Sequence, residues 1–370
     1  MRVALVLGSS TGGIGRHIAS LATGLTGEGA TVIVYGPAAT EERFQFSAKT
    51  GAAFVPLEIP ASLHPRDART VTALRRAWVG ERRPDIIHAH GLRAGLVAAA
   101  ARSAHPLVVT WHNAPLQRGL RARAYRVAER YVARSADVTL GASADLVARA
   151  VALGARDARL GEVAAPPLPP PRRGRSAVRA ELGVDPGTPL LLSVGRLHPQ
   201  KGYHTLIKTA ARWRALHPAP AVVIAGTGPG YLDLVAEISA ARAPVTLLGH
   251  RDDVADLLLG ADLAVVTSVW EARQLFAQEA LRSGTPLVAT AVGGIPELVG
   301  DAAVLVPAGD PDALDAAVRR LLADTELRDA YAVRGRARAQ QWPTERDTVA
   351  QVLAIYAELA ARPAPAAGQR

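Results

Sequence analysis

Two glutamates stand at a spacing that suits a ligand site in the second half of the chain. Glu271 and Glu279 are eight positions apart within residues 261–299. An α-helix has about 3.6 residues per turn, so this offset would put them on different faces if the whole segment were helical. We therefore expect Glu271 in a loop at the carboxyl end of a strand, and Glu279 one turn inside a helix that begins near Leu275. Ligands bind at that edge of open α/β sheets; capping and solvation of the helix are the alternative role.

The strongest signal for phosphate binding is the stretch from Ser193 to Gly202, which reads Ser-Val-Gly-Arg-Leu-His-Pro-Gln-Lys-Gly. It follows an apolar run and precedes a helix predicted from Tyr203. Arg196 offers a planar fork to phosphate oxygens and Lys201 a compact charge, so together they could neutralise a leaving diphosphate without a metal ion. Lys201 is one of three lysines in the chain, and the Gly-Lys-Ser/Thr sequence of a Walker A loop is absent.

A glycine-rich segment from Gly8 to Gly15 follows the first predicted strand and precedes a helix. Glycines let the backbone approach an anion closely. The segment also fits a tight strand–helix turn, or a short-chain dehydrogenase with a single Rossmann domain and a Tyr-x-x-x-Lys pair. No tyrosine in the chain has a lysine four residues later, which disfavours the dehydrogenase.

Three histidines follow two consecutive predicted strands, His88 and His90 after the first and His112 after the second. We expect the i, i+2 spacing to point His88 and His90 to opposite sides of their strand, and no nearby carboxylate pair completes a ligand set. The sequence therefore predicts no metal site. His88 and His90 are interpreted as structural or acceptor-side residues.

Short apolar runs alternate with helical patterns, which predicts βαβ units and parallel sheets covered on both faces. The predicted strands are Arg2–Leu7, Thr31–Tyr35, Asp85–Ala89, Leu107–Trp111, Asp137–Gly141, a weaker one near Gly161–Ala165, Leu190–Val194, Ala221–Ala225, Val245–Leu248, Asp262–Thr267, Pro286–Thr290 and Val304–Val306. The two series are separated by a run at residues 166–171 that is too rich in proline for helix or sheet and stiff enough to act as a spacer. The pattern predicts an α/β protein with two doubly wound Rossmann-like domains facing each other across a cleft.

Composition narrows the classes of protein. The chain has 370 residues, 49% of them hydrophobic, which is enough for two cores. It has no cysteine, so disulfides and thiolate chemistry are excluded. The chain has no run of 18 apolar residues, the length needed to span a membrane. Its first residues suit a buried strand better than a signal peptide. We therefore expect a cytoplasmic location.

The net charge of +10 is concentrated in the first half of the chain. Residues 1–175 carry 24 Lys and Arg against 12 Asp and Glu, whereas residues 176–370 carry 19 against 21. A basic half suggests an anionic partner, and the predicted helix Arg118–Arg134, with six arginines, could lie on an anionic membrane surface. An ordinary solvated helix is the alternative. We expect no nucleic acid partner, because no recognised binding module appears.

The two glutamates and the pattern Gly-Arg-Leu-x-x-x-Lys-Gly together resemble the retaining, nucleotide-sugar-dependent glycosyltransferases of family 4, also called group 1, of actinobacterial type. The resemblance implies the GT-B fold. It assigns residues 1–168 to an N-terminal acceptor-binding domain and 169–175 to a proline-rich linker. It assigns 176–343 to a C-terminal nucleotide-sugar-binding domain and 344–361 to a helix returning to the first domain.

The resemblance also implies the roles of individual residues. Glu279 would accept hydrogen bonds from the donor ribose, and Glu271 would hold a hydroxyl of the transferred sugar. His112 would line the sugar pocket near the reacting carbon. The remaining donor-binding residues would be Gly13, Arg196 and Lys201 at the phosphates, Arg251 stacked on the base, and the backbone N–H groups of Arg273, Gln274 and Leu275.

One departure concerns the loop after the first glutamate. Relatives usually have Glu-(Gly/Ser/Pro)-Phe-Gly there, whereas this chain has Glu271-Ala-Arg-Gln. These changes stand beside the sugar, so they bear on which donor sugar is used. Asp252 and Asp253 are interpreted as capping acids of the following helix.

The resemblance thus implies a metal-independent, retaining glycosyltransferase of hexosyltransferase type. Such an enzyme would need no cofactor and would use a nucleoside-diphosphate sugar, UDP- or GDP-linked, as co-substrate. The acceptor would be a small molecule, lipid or glycan, with an anionic or lipid-linked one suggested by charge, and the protein could be peripheral at the inner face of the membrane. The alternatives are another GT-B enzyme, such as an epimerase or phosphorylase, and a non-catalytic sugar-nucleotide-binding protein.

Overall fold

The chain divides into two compact units. A computed structural model describes residues 1–362 apart from residues 11, 61, 63, 65–66, 116–118 and 162. Unit 1 comprises residues 1–166 together with the C-terminal segment from residue 343, and unit 2 comprises residues 167–342. The change of unit falls inside the proline-rich run, where the backbone forms neither helix nor strand.

Unit 1 is built on a seven-stranded sheet in the order β3-β2-β1-β4-β5-β6-β7, and every neighbouring pair is parallel. Its strands are β1 Arg2–Leu7, β2 Thr31–Gly36, β3 Ala53–Pro56, β4 Ile86–His90, β5 Leu107–Trp111, β6 Val138–Gly141 and β7 Ala158–Leu160. The central strands β4, β5 and β6 are buried along their whole length. Near-continuous apolar strands of this kind are what a parallel sheet covered on both faces requires.

Eight helices are described in unit 1: α1 Gly13–Gly27, α2 Ala38–Phe44, α3 Phe46–Thr50, α4 Asp67–Ala77, α5 Leu92–Ala101, α6 Gly119–Ser135, α7 Ala144–Ala152 and, from the end of the chain, α16 Glu345–Ala360. Helix α16 begins with a capping box, in which the Thr344 hydroxyl and the Asp347 carboxylate each accept a backbone N–H of the other residue. Its apolar face, with Val352, Ile355 and Tyr356, joins the core formed by α1 and strands β1 and β2.

Unit 2 contains a six-stranded parallel sheet in the order β10-β9-β8-β11-β12-β13. The strands are β8 Leu190–Val194, β9 Ala221–Ala225, β10 Val245–Gly249, β11 Leu263–Val266, β12 Leu287–Thr290 and β13 Val304–Val306. The helices are α8 Arg175–Glu181, α9 Tyr203–Trp213, α10 Tyr231–Ala241, α11 Val254–Gly260, α12 Leu275–Ser283, α13 Ile295–Val299, α14 Pro311–Ala323 and α15 Thr325–Gln340. Two separate apolar clusters cover the two faces of this sheet.

Both sheets reverse their strand order next to their first strand. In unit 1 the reversal lies between β1 and β4, and in unit 2 between β8 and β11. Loops that leave the carboxyl ends of two such strands diverge to opposite sides and open a crevice, which is where doubly wound sheets bind ligands. The fold therefore singles out one edge of each unit before any side chain is considered.

The predicted class, an α/β protein with two doubly wound Rossmann-like sheets, is confirmed, but one strand was missed and one was misplaced. Strand β3 was not predicted, because the short run Ala53–Pro56 is only half-buried at the sheet edge and its apolar signal is weak. The weak strand expected near residues 161–165 lies earlier in the chain, at β7, Ala158–Leu160. Residue 162 of the expected segment lies outside the described part of the chain. In the described residues, no helix has the length and apolar character needed to cross a bilayer.

Candidate functional site

The switch point of unit 2 brings together two charged residues that are far apart in sequence. Lys201 follows β8 and Glu271 follows β11, and the Lys201 Nζ lies 2.5 Å from the Glu271 Oε1. The Ser268 hydroxyl donates to the same oxygen at 2.7 Å. The glutamate is buried and the lysine is mostly so, with 20% of its side chain exposed. Because part of the lysine side chain is exposed, its ammonium group is accessible to an incoming anion such as a phosphate.

Hydrogen bonds join the loop after β8 to the loop after β11. The backbone turns once through Pro199–Lys201, and the Gln200 carbonyl accepts from the Val269 N–H at 2.8 Å. The Gln200 side chain donates to the Trp270 carbonyl at 2.9 Å, and the Thr267 hydroxyl donates to the Lys201 carbonyl at 3.0 Å. The relative position of the lysine and the glutamate is therefore set by backbone contacts as well as by their own charges.

Two glycines make this close approach possible. Gly202 has a φ of 63°, and a Cβ there would stand 2.0 Å from the Thr267 carbonyl oxygen. Gly293 has a φ of 52°, and a Cβ there would stand 2.0 Å from the Glu271 carbonyl oxygen, which accepts the Gly294 N–H at 2.9 Å. Only glycine combines the positive φ with this contact. The site is therefore bounded by backbone that admits no side chain.

The start of α12 lies directly after this loop. As predicted, Glu271 is in the loop, the helix begins at Leu275 and Glu279 is buried in its second turn. Gln274 is the N-cap residue, and its side chain accepts the Ala277 N–H. The glutamine that departs from the relatives' glycine thus satisfies one first-turn donor of the helix, and this explains why the local fold tolerates it. The role of the Arg273 N–H remains a prediction.

Arg196 supplies a second positive charge at the same edge. Its side chain is exposed, and within the described residues no carboxylate forms an ion pair with it. Burial lowers the pKa of His198, and the positive charges of Arg196 and Lys201 lower it further. The His198 Nδ1 accepts the Gln200 N–H at 3.2 Å, which requires an unprotonated nitrogen. The loop after β8 therefore carries two cations, Arg196 and Lys201, and a neutral imidazole, His198.

Arg251 lies in an ion-pair network near the start of α11. Its guanidinium contacts Asp253 through Nε and Nη2 at 2.7 and 2.5 Å and Glu181 through Nη1 at 2.7 Å. Asp253 also pairs with Arg173. The predicted capping role of Asp253 is wrong: it occupies the N-cap position, but its carboxylate makes no cap hydrogen bond because it is used by the two arginines. Stacking of Arg251 on a base, which would use its flat face, remains a prediction.

In unit 1 the glycine-rich segment leads into α1 as predicted, although residue 11 lies outside the described part. Gly13 is the first residue of the helix, and the Gly15 N–H donates to the Ser10 hydroxyl at 3.0 Å. The N-cap residue, Gly12, has no side chain and cannot cap the helix itself. The first turn of the helix therefore presents backbone N–H groups and the Ser10 hydroxyl, and such groups can bind an anion.

Three buried histidines gather beside this helix start. His17 of α1, His90 of β4 and His112 after β5 have ring centroids 5.3 to 5.6 Å apart, and the His90 Nδ1 lies 3.2 Å from the His112 Nε2. The cluster contains the predicted His112, and it contains His17, which sequence reasoning missed. The missed signal was that His17 follows Gly13 by four positions, one helical turn, so the two share a helix face.

The expectation that His88 and His90 point to opposite sides is wrong. Their rings stack with centroids 4.3 Å apart, because alternate residues of a strand lie on the same face. His88 contacts the Tyr356 hydroxyl of α16 through Nδ1 and the Thr110 hydroxyl through Nε2, both at 2.7 Å. It thus links the sheet to the C-terminal helix, which is a structural role.

Burial keeps these imidazoles neutral. It lowers the pKa of His17 to about 4 and that of His88 to about 3, and it lowers those of His90 and His112 well below the usual value of a histidine, with a smaller contribution from the neighbouring rings. Near neutral pH the cluster is therefore an uncharged set of donors and acceptors. Neutral imidazole suits hydrogen bonding to sugar hydroxyls, and it is also the form that binds transition metals.

The cluster is also the one place in the described residues where three metal-ligating side chains meet. Nitrogen atoms of His17, His90 and His112 all lie within 4.8 Å of one another. Three imidazoles could hold an ion such as Zn²⁺. The short contact between His90 and His112 is equally a hydrogen bond between two neutral rings, so the geometry allows both, and the prediction that no metal is needed stays a prediction.

The four buried histidines His17, His88, His90 and His112 should make the protein less stable in mild acid. Histidines in the unfolded chain titrate near pH 6.5. Their folded pKa values are lower, so the unfolded state binds more protons between about pH 6.5 and 4, and the free energy of unfolding falls as the pH falls through that range. We expect the apparent Tm to fall over this range, and His88→Gln to flatten the slope. A matched change at the exposed His250, His250→Gln, should leave the slope unchanged; equal slopes in all three proteins would contradict the prediction.

Two family models cover most of the chain. The model described as "Glycosyl transferases group 1" matches residues 174–338, and "Glycosyl transferase 4-like domain" matches residues 12–166. The GT-B fold is supported by Anabaena HepE, solved with UDP-glucose, which has a TM-score of 0.80 at 21% identity and aligns over 97% of this chain and 100% of its own. The chain belongs to the group 1, GT4-like glycosyltransferase family.

Relatives with assigned activities come from actinobacteria. The chain is 36% identical to a D-inositol 3-phosphate glycosyltransferase of Geodermatophilus obscurus, over 77% of this chain and 69% of the relative. It is 30% identical to a glycogen synthase of Mycobacterium tuberculosis, over 92% and 90% of the two chains. These two relatives differ widely in acceptor, so family membership establishes a glycosyltransferase and leaves its acceptor open.

Proposed function

We propose that the protein is a metal-independent, retaining glycosyltransferase that moves a sugar from a nucleoside-diphosphate sugar to an acceptor. The observation that carries the proposal is the ion pair between Lys201 and Glu271 at the switch point of unit 2, with Arg196 beside it. In this proposal the two cations take the diphosphate and the glutamate takes a sugar hydroxyl. One loop then meets the leaving group and the other the transferred sugar.

The proposed reaction needs little beyond positioning and charge. As the bond between the anomeric carbon and the diphosphate breaks, negative charge builds on the phosphate, and Arg196 and Lys201 stabilise it. The acceptor hydroxyl attacks on the same face, and its proton goes to the departing phosphate. Retention then requires no carboxylate nucleophile, and Glu271 serves to orient the sugar. Glu279 holds the ribose.

We take UDP-glucose as the first donor to test, because a protein of the same fold has been solved with it. GDP-sugars are the second choice. The acceptor in this proposal is anionic or lipid-linked, since the unit assigned to it carries the excess of arginine. We propose that the enzyme works in the cytoplasm, at the inner face of the membrane.

A thermal-shift panel tests the donor half of the proposal. The intact protein is heated with UDP, GDP, ADP, TDP or NAD, with and without EDTA. A ligand at a hundredfold excess over its Kd stabilises the folded state by about 2.7 kcal/mol. We expect one nucleoside diphosphate to raise the Tm and EDTA to leave the shift unchanged. Loss of the shift with EDTA would point to an ion at the histidine cluster, and a shift with NAD alone would overturn the assignment.

Turnover separates the transferase from its alternatives. The preferred nucleotide sugar is incubated with and without mixed polar and lipid acceptors, and release of the nucleoside diphosphate is followed. Release that depends on an acceptor supports the transferase, and the anomeric configuration of the product tests retention. Turnover with water or phosphate alone would indicate an epimerase or phosphorylase. Binding without turnover for every acceptor would indicate a non-catalytic sugar-nucleotide-binding protein.

A further inference from the structure

The outward face of helix α6 is divided lengthwise into two strips. The apolar strip consists of Leu120, Ala124, Val127 and Tyr131, and the basic strip consists of Arg123, Arg126, Arg130 and Arg134. Offsets of three, four, seven and eleven residues keep the members of each strip aligned along a helix. All eight residues are exposed, whereas Ala128, Glu129, Val132 and Ala133 on the opposite face are buried.

The apolar strip is unusually open to solvent. Leu120 is 81% exposed, Val127 70% and Tyr131 45%. Glu129, on the buried face, binds Arg149 of α7 through two hydrogen bonds of 2.7 and 2.6 Å, which fixes the rotation of α6 about its axis. The exposure of the strip is therefore a consequence of how the helix is anchored.

The four arginines of the basic strip differ in ion pairing from several other arginines of the same unit. Within the described residues none of the four forms an ion pair with a carboxylate, whereas Arg102, Arg149 and Arg159 of the same unit each do, at 2.6 Å. Arg118, the first residue of the predicted helix, lies outside the described residues. A row of uncompensated guanidinium groups next to exposed apolar side chains fits a partner that is anionic at its surface and apolar beneath.

We propose that α6 is the surface by which this protein binds an anionic phospholipid bilayer. The helix would lie in the plane of the interface, with Leu120, Val127 and Tyr131 entering the acyl boundary and the arginines at the headgroups. The basic strip alone would suit a nucleic acid equally well, but the apolar strip has no counterpart on a phosphate backbone. The surface is defined without reference to donor chemistry, so it stands or falls independently of the transferase activity.

Vesicle sedimentation tests the charge requirement. The intact protein is mixed with vesicles of phosphatidylcholine, alone or with phosphatidylglycerol. We expect binding only to the anionic vesicles, weakened by salt, and at least about tenfold weaker binding for the triple variant Arg123→Glu/Arg126→Glu/Arg130→Glu. The matched control changes three exposed arginines of the same unit outside α6: Arg69→Glu/Arg76→Glu/Arg346→Glu. Equal loss in both variants would overturn the proposal, because it would reduce the effect to net charge.

A site-specific label tests insertion, and the chain has no cysteine to interfere. An environment-sensitive fluorophore is attached to Val127→Cys or, as the control, to Val333→Cys on the exposed face of α15, where the residue is 60% exposed. We expect anionic vesicles to shift the emission to the blue at position 127 alone. The absence of a shift at position 127 would overturn the proposal. So would binding of duplex DNA that is as tight as vesicle binding and is unaffected by the triple variant Leu120→Ser/Val127→Ser/Tyr131→Ser, because the partner would then be a polyanion and not a membrane.

Discussion

Lys201→Ala should reduce glycosyl transfer by about two to three orders of magnitude, the usual effect of removing one group that stabilises developing negative charge. It should also weaken nucleoside-diphosphate binding, because the lysine is the most enclosed cation at the switch point of unit 2. Turnover with the preferred nucleotide sugar and calorimetric titration with its nucleoside diphosphate measure the two effects.

The control for this variant is Lys208→Ala, which removes a lysine from the exposed face of α9 in the same unit. It should match the unmodified protein in both assays. Circular dichroism should show that Lys201→Ala remains folded, since Ser268 still donates to Glu271. Unchanged turnover in Lys201→Ala would contradict the site assignment.

Glu271→Gln should separate binding from catalysis. In the structure the carboxylate neutralises Lys201, so a diphosphate must displace it to reach the full charge of the lysine. Glutamine retains the shape and removes the competing charge. We therefore expect nucleoside-diphosphate affinity to rise by roughly tenfold, while turnover falls by about two orders of magnitude because the sugar hydroxyl loses its charged acceptor.

A double variant sharpens this prediction. If Glu271 influences the diphosphate only through Lys201, then Glu271→Gln should have no effect on nucleoside-diphosphate affinity in a protein that already carries Lys201→Ala. Glu326→Gln, at an exposed position of α15, controls for the general loss of one negative charge. Weaker nucleotide binding in Glu271→Gln alone would mean that the carboxylate supports the diphosphate site and does not compete with it.

Much of the candidate site in unit 2 could be predicted from sequence because its signals are local. The strand before Gly195, the turn at Lys201 and the helix start at Leu275 each follow from a few neighbouring residues. The ion pair between Lys201 and Glu271 was not predicted. It depends on the loops after β8 and β11 adjoining where the strand order reverses, and that order is a property of the whole sheet.

The features that sequence reasoning missed depend on tertiary contacts. The sequence around His17 indicates that it shares a helix face with Gly13, but it does not show that His17 meets His90 and His112, which come from two other elements. The prediction that His88 and His90 point to opposite sides of their strand misapplied strand geometry, because residues two positions apart lie on the same face. Asp253 stands at a helix N-cap by sequence, but arginines from elsewhere in the fold take its carboxylate. Local patterns do not show which of several partners a charge will find.

The most direct test of the central claim is hydrogen exchange of the intact protein with and without the nucleoside diphosphate that stabilises it, in the presence of EDTA. The account predicts slower exchange in the backbone of residues 195–203 and 268–279, where Lys201, Glu271 and the start of α12 lie, and no such change in Lys201→Ala at the same ligand concentration. Slower exchange confined to residues 8–17 of unit 1, with none at the β8 and β11 loops of unit 2, would contradict it.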